Sequence, residues 1–206
     1  VEHGDQARAL YGEAPGVEFG RRSAELITMA ASYWRGRWGE LIARRAELAA
    51  AAAATGDRFG ELAAVSGYAV LADALVDDEE GARERLEPAA ARWPTTRAPT
   101  AQLRILVGRV SLDLYFGHVS AARFRLEAAW PELTASRALT IEHARASMLD
   151  LRARAALLDR DLATATEAAR QLGRIAWAQA LSQLYLAAVA HARRELDGAA
   201  RALDRA

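Results

Sequence analysis

The phrase ARERLE at 82–87 returns forty positions later as ARFRLE at 122–127, and Ala89 returns as Ala129. A chain that spells the same phrase twice at this distance is constrained to repeat a supersecondary unit, because periods of 20–50 residues mark stacked repeats. The repeated letters are helix formers, and Ala, Leu, Arg and Glu dominate the rest of the chain as well. Val, Ile and Thr are sparse, and no stretch alternates apolar and polar residues for long. The sequence therefore predicts an all-α protein.

The helices fall into pairs. After a short opening helix, GEAPGVEFG at 12–20 carries three Gly and one Pro and reads as a connection. Five pairs follow, with first and second members at 19–35 and 38–54, 58–76 and 79–93, 100–116 and 120–133, 138–158 and 163–172, and 174–193 and 198–203. Leu103, Leu106, Val107, Val110 and Leu114 illustrate the three-and-four spacing of one buried helical face. The turns within pairs read RGRW at 35, VDDEEGA at 76, FGHVSA at 116, DRDLA at 159 and ELDGA at 195. Gly36 and Gly117 suit the left-handed residue that ends a helix, and Asp78 and Asp161 suit the cap that starts the next. These turns recur about every 35–42 residues, as two-helix repeats do.

One amphipathic pair cannot cover its own apolar face, so like pairs stack and share a core. Ala82 and Ala122 let the second helix approach the first, and Leu86 and Leu126 fill the seam one turn on. The expectation is an α-solenoid of stacked antiparallel helix hairpins, tetratricopeptide-like, with repeats at 19–56, 57–97, 98–135, 136–173 and 174–206 in a single domain. Residues 1–18 read as the end of a preceding helix and a linker, and the opening at Val1 as a cut from a larger intracellular protein.

Composition narrows the chemistry. All 27 basic residues are Arg, balancing 27 acidic ones, and the chain has no Lys, no Asn and no Cys. Without Lys there is no P-loop lysine, kinase lysine or Schiff base, and without Cys no thiolate or disulfide. A net charge of zero argues against nucleic acid as partner. No run approaches the ~20 apolar residues of a membrane span, so the expected location is cytoplasmic. His3, His118, His143 and His191 lack metal-ligand spacing, and no Ser–His–Asp set or phosphate loop can be assembled. No catalytic, cofactor or metal residue is expected. The acidic run DDEE at 77–80 reads as helix capping.

The binding expectation rests on polar stripes of the first helices. Gln102, Arg109 and Asp113 share one face, and Glu142, Arg145 and Arg152 share the corresponding face of the next first helix. First helices line the concave side of stacked hairpins, so these residues, with Trp177, form the candidate partner-binding groove. A solvated face and Arg–Asp or Arg–Glu bridges between repeats are the competing readings. Trp93 and Trp130, each followed by Pro, read as plugs between successive repeats.

Four phrases, GRVSLDLYFG (108–117), AAWPEL (128–133), LRARAAL (151–157) and IAWAQAL (175–181), follow one another in an order that resembles the C-terminal helical-repeat region of bacterial multidomain serine/threonine protein kinases and related signalling ATPases. The resemblance spans much of 60–206 and implies a regulatory or scaffolding region whose phosphoryl-transfer machinery lies elsewhere. The chain is thus expected to be a non-enzymatic protein-interaction module, binding a protein, a peptide or other domains of its own polypeptide. The alternative is a ligand- or peptide-sensing domain whose repeat packing controls an attached kinase or ATPase. An enclosed apolar pocket at Trp177 or Tyr115 would favour the sensor, an open Arg-lined trough the protein partner. Oligomeric state is left open.

Overall fold

The computed structural model describes residues 18–93 and 99–206, with His3 and Gln6. Every regular element among the described residues is helical. The α-helices are α1 (Glu18–Trp34), α2 (Trp38–Thr55), α3 (Arg58–Val65), α4 (Leu71–Ala74), α5 (Glu79–Ala91), α6 (Pro99–Tyr115), α7 (Val119–Ala135), α8 (Glu142–Leu158), α9 (Leu162–Leu172), α10 (Gln179–Ala192) and α11 (Leu196–Leu203). Short 3-10 turns at Gly67–Val70, Ala138–Thr140 and Ala176–Ala178 stand before α4, α8 and α10. The opening helix and most of the connection at 12–20 lie outside the described residues.

One turn is built five times. A residue with positive φ closes the first helix of each pair: Gly36 (67°), Asp77 (56°), Gly117 (82°), Arg160 (59°) and Arg194 (65°). The following residue then donates its backbone N–H five positions back, Arg37 to Ser32 (2.8 Å), Asp78 to Asp73 (3.2 Å), His118 to Asp113 (2.7 Å), Asp161 to Ala156 (2.8 Å) and Glu195 to Ala190 (2.9 Å). These bonds satisfy carbonyls that a helix end would otherwise leave open. Five residues past each left-handed position sits a buried residue, Leu41, Ala82, Ala122, Ala165 or Ala199. Four of the five are Ala, which lets the paired axes lie at the close end of the usual ~8–10 Å range. Leu86 and Leu126 are fully buried one turn on. The turns expected at 35, 76, 116 and 159 are all present.

Four expectations need correction. The first helix expected at 58–76 breaks, because Gly67 takes φ 60° and starts a 3-10 turn. The first helices expected from 138 and 174 begin instead at Glu142 and Gln179, after their own 3-10 turns. The last turn is centred on Arg194, with Glu195 of ELDGA closing it, and Gly198 is inside α11. On α6, Leu103 and Leu106 are only half-buried, while Ile105 and Leu112 are buried, so the covered face is rotated and broader than the spacing implied.

The chain divides into two compact units, the first ending at Gly108 and the second running from Arg109 to Ala206. In the first, Met29, Leu41, Leu48, Ala63, Ala64 and Ala69 form one core cluster, and Leu62, Ala90, Ala101 and Ile105 form another. Tyr33 stacks on Tyr68 at 3.9 Å, joining the first members of successive pairs. Trp93 meets Phe59, at the start of the same expected repeat, edge-on at 5.8 Å. The second unit is cored by small residues, Ala146, Ala153, Ala168, Ala169 and Ala178, around Leu149, Leu172 and Ile175.

Candidate interaction surface

The repeated phrase carries a repeated ion pair. Arg85 bonds Asp73 (2.9 Å) and Asp78 (2.7 Å), and Arg125 bonds Asp113 (2.8 Å), in each case tying the second helix to residue −12 on the first. Asp73 and Asp113 recur at the same forty-residue spacing as the arginines, a signal present in the sequence that helical stripes alone do not expose. Other arginines bridge neighbouring pairs: Arg45 reaches Asp73 (2.7 Å), and Arg123 reaches Asp159 (3.2 Å) and Asp161 (3.1 Å). Bridging therefore claims part of the stripes read as groove. Asp113 is 2% exposed and is a buried ion-pair partner, not a groove residue. Gln102, in the first unit, donates to the Trp93 carbonyl at 3.2 Å. Arg109, in the second, is half-buried.

Glu142, Arg145, Arg152 and Trp177 are brought together by α8. Glu142 sits in its first turn, where a carboxylate complements the helix dipole. From Ala144 to Ala153 the helix is buried at every position except Arg145 and Arg152. These two lie seven residues apart, two turns along one line, with Leu149 buried between them. Within that stretch the two half-buried positions are both arginines.

Their surroundings differ. The Arg152 guanidinium lies 4.3 Å from the Trp130 ring centroid, and one nitrogen reaches the exposed Glu127 carboxylate at 3.4 Å. Trp130 also packs on the core cluster, so the indole is fixed and holds the cation in a defined plane. Arg145 Nε, like Arg152 Nε, is out of water without a hydrogen-bond partner among the described residues. Three residues before Arg145, Glu142 Oε1 accepts from the Trp177 indole N–H at 3.0 Å. His143 stacks on the same indole at 6.3 Å and 26°.

Beneath the row, Asp150 accepts from the Tyr185 hydroxyl and from Arg154 (3.1 Å). Burial raises its carboxyl above the ordinary aspartate value, against the opposing pull of Arg154 and Tyr185. Glu142 with Trp177 and Asp150 with Tyr185 are both pairs 35 residues apart. They set α8 beside the segment that leads into and forms α10, so successive first helices are neighbours in this unit. Trp177 is 47% exposed and Tyr115 48%, so neither side chain is enclosed.

Among the described residues, no group of three or more His, Asp or Glu is placed to hold a metal ion. No described helix is long and apolar enough to cross a membrane. The arrangement defines a helical-repeat-like, all-α class of protein. Compared with models of known protein families, with curated proteins and with solved structures, the chain matches none.

Proposed function

We propose that this chain is a non-enzymatic interaction module of a bacterial signalling protein, an α-solenoid of tetratricopeptide-like hairpins that docks a partner on its first helices. The observation that carries the reading is α8, covered everywhere between Ala144 and Ala153 except along Arg145 and Arg152. Both half-buried positions of that stretch are arginines, whose guanidiniums suit a carboxylate partner. The five like turns and the α8–α10 neighbourhood support the hairpin-repeat architecture. The half-exposed Trp177 and Tyr115 support an open docking surface over an enclosed sensor pocket.

The test has two arms. The purified chain is expected to turn over no ATP, and sustained hydrolysis overturns the reading. In pull-downs, Arg109→Ala combined with Arg145→Ala is expected to lose partners that the wild type retains, with helical circular dichroism unchanged. Undiminished capture of every partner by that folded double variant counts against the surface.

A further inference from the structure

We infer that this chain docks head to tail on a second copy of itself, Leu184 of one copy packing against Ile27 of the next. The contact is separate from the docking surface proposed above and does not depend on it.

The turns supply a common register. In each pair the residue whose carbonyl takes the turn N–H is Ser32, Asp73, Asp113, Ala156 or Ala190, and positions are counted back from it. Two contacts between successive first members then coincide. Tyr185, five before its turn carbonyl, donates its hydroxyl to Asp150, six before its own. Gly108, also five before, approaches Gly67, also six before, so closely that an added Cβ would stand 3.2 Å from the Gly67 nitrogen. Position five thus faces the preceding pair and position six the following one. Tyr68, another position five, obeys the same rule by stacking on Tyr33 of the preceding pair.

One residue of each kind is left uncovered. Among positions five, Tyr68, Gly108, Leu151 and Tyr185 are buried, whereas Ile27 is 66% exposed. Among positions six, Gly67, Val107 and Asp150 are buried and Leu26 is half-buried, whereas Leu184 is 48% exposed. The rows they stand in carry no charge: Ser23, Ile27 and Ala31 on α1, and Ala180, Leu184 and Ala188 on α10. Joining them therefore strands no charge away from water. Leu203 extends the forward face onto α11. It is 55% exposed, whereas its counterpart Ala169 is fully buried, with its carbonyl accepting from Ser182 of the following pair. A second copy is the occupant because this chain carries both halves, in the register that already joins its own pairs. The internal contact is continued from one copy to the next. Each copy uses a different face, so the contact is heterologous.

The experiment is sedimentation velocity on the full chain over a range of concentrations. The weight-average mass of the wild type is expected to rise with concentration to that of a dimer or more. Ile27→Glu and Leu184→Glu should each weaken association about tenfold or more, because each would bury an unpaired carboxylate. Phe124→Glu, at an exposed α7 position in neither row, should leave association unchanged. An equimolar mixture of the Ile27→Glu and Leu184→Glu variants should regain association and stop at a pair, since one intact Leu184 row meets one intact Ile27 row. Circular dichroism confirms that each variant is folded. A wild type that stays monomeric, or a mixture that does, overturns the inference. Association that survives Ile27→Glu would mean that like faces pair, and association lost with Phe124→Glu would mean unspecific adhesion; either result overturns it too. All of these outcomes leave the docking module standing, whereas ATP turnover removes that module whatever the masses do.

Discussion

Three of the five hairpin turns put a residue other than glycine into the left-handed region: Asp77, Arg160 and Arg194. A Cβ there costs roughly 1 kcal/mol, and Arg160 and Arg194 are exposed. Arg160→Gly and Arg194→Gly should therefore each stabilise the fold by about 0.5–1 kcal/mol, read as a higher urea midpoint. Gly67→Ala should do the reverse. Gly67 has positive φ, and an added Cβ would stand 3.1 Å from Arg104 Nη2. Arg104 closes the end of α3 by donating to the Ala63 (3.0 Å) and Ser66 (3.2 Å) carbonyls. Burial lowers its guanidinium pKa to about 10. A loss of about 1–2 kcal/mol is expected. Titration acts at this scale as well. Asp57, Asp78 and Asp161 cap α3, α5 and α9, accepting from Gly60, Gly81 and Thr164. All three are held below the ordinary aspartate value. Arg85 leads for Asp78, and the Thr164 N–H leads for Asp161. For Asp57 burial pushes upward, but the Gly60 N–H and Arg22 outweigh it. The charged caps stabilise above about pH 4, and that contribution drains as pH falls through the lowered native values. Asp150 has the opposite sign: its native value is raised, so stability declines as pH rises from the ordinary aspartate value to the raised one. Asp150→Asn should flatten that upper window and leave the acid loss below about pH 4, measured by urea midpoints from pH 3 to 7.

At the scale of elements, the Asp–Arg pairs set what each hairpin can lose. Asp73 holds Arg45 and Arg85 together while itself only 9% exposed at the side chain. Asp73→Ala should cost about 2–3 kcal/mol by freeing two guanidiniums at once, and Arg85→Ala should cost less because Arg45 remains on the carboxylate. A reversed order would show that the bridge between neighbouring pairs contributes nothing. Pairing of the helices was legible in the sequence because Ala and Leu periodicity, the two turn glycines and the two capping aspartates all point the same way. The 3-10 turns before α4, α8 and α10 were not, since Ala, Leu and Trp continue the helical pattern through them. Nor was the Arg194 turn, because nothing in the residue type announces positive φ, and Gly198 offered a false stop. The candidate surface was half legible. Spacing placed Arg145 and Arg152 on one line, but only packing revealed that Asp113 had been drawn inside by Arg125.

For the whole molecule, two compact units with separate cores imply uneven local stability. Within the second unit α8 is the most enclosed helix, whereas α11 leaves Leu196 and Leu203 exposed. Native-state hydrogen exchange should accordingly be slowest in α8 and fastest in α11, and equal protection would contradict the burial pattern. The five like turns carry a broader consequence. Glycine fills two of them, aspartate one and arginine two, so the bend is enforced by the small or apolar residue locked beneath it and by the carbonyl it returns to. A bend secured from below tolerates drift in the letter that makes it. Such a chain can lose the outward marks of its own ancestry while every copy of the hairpin keeps its shape.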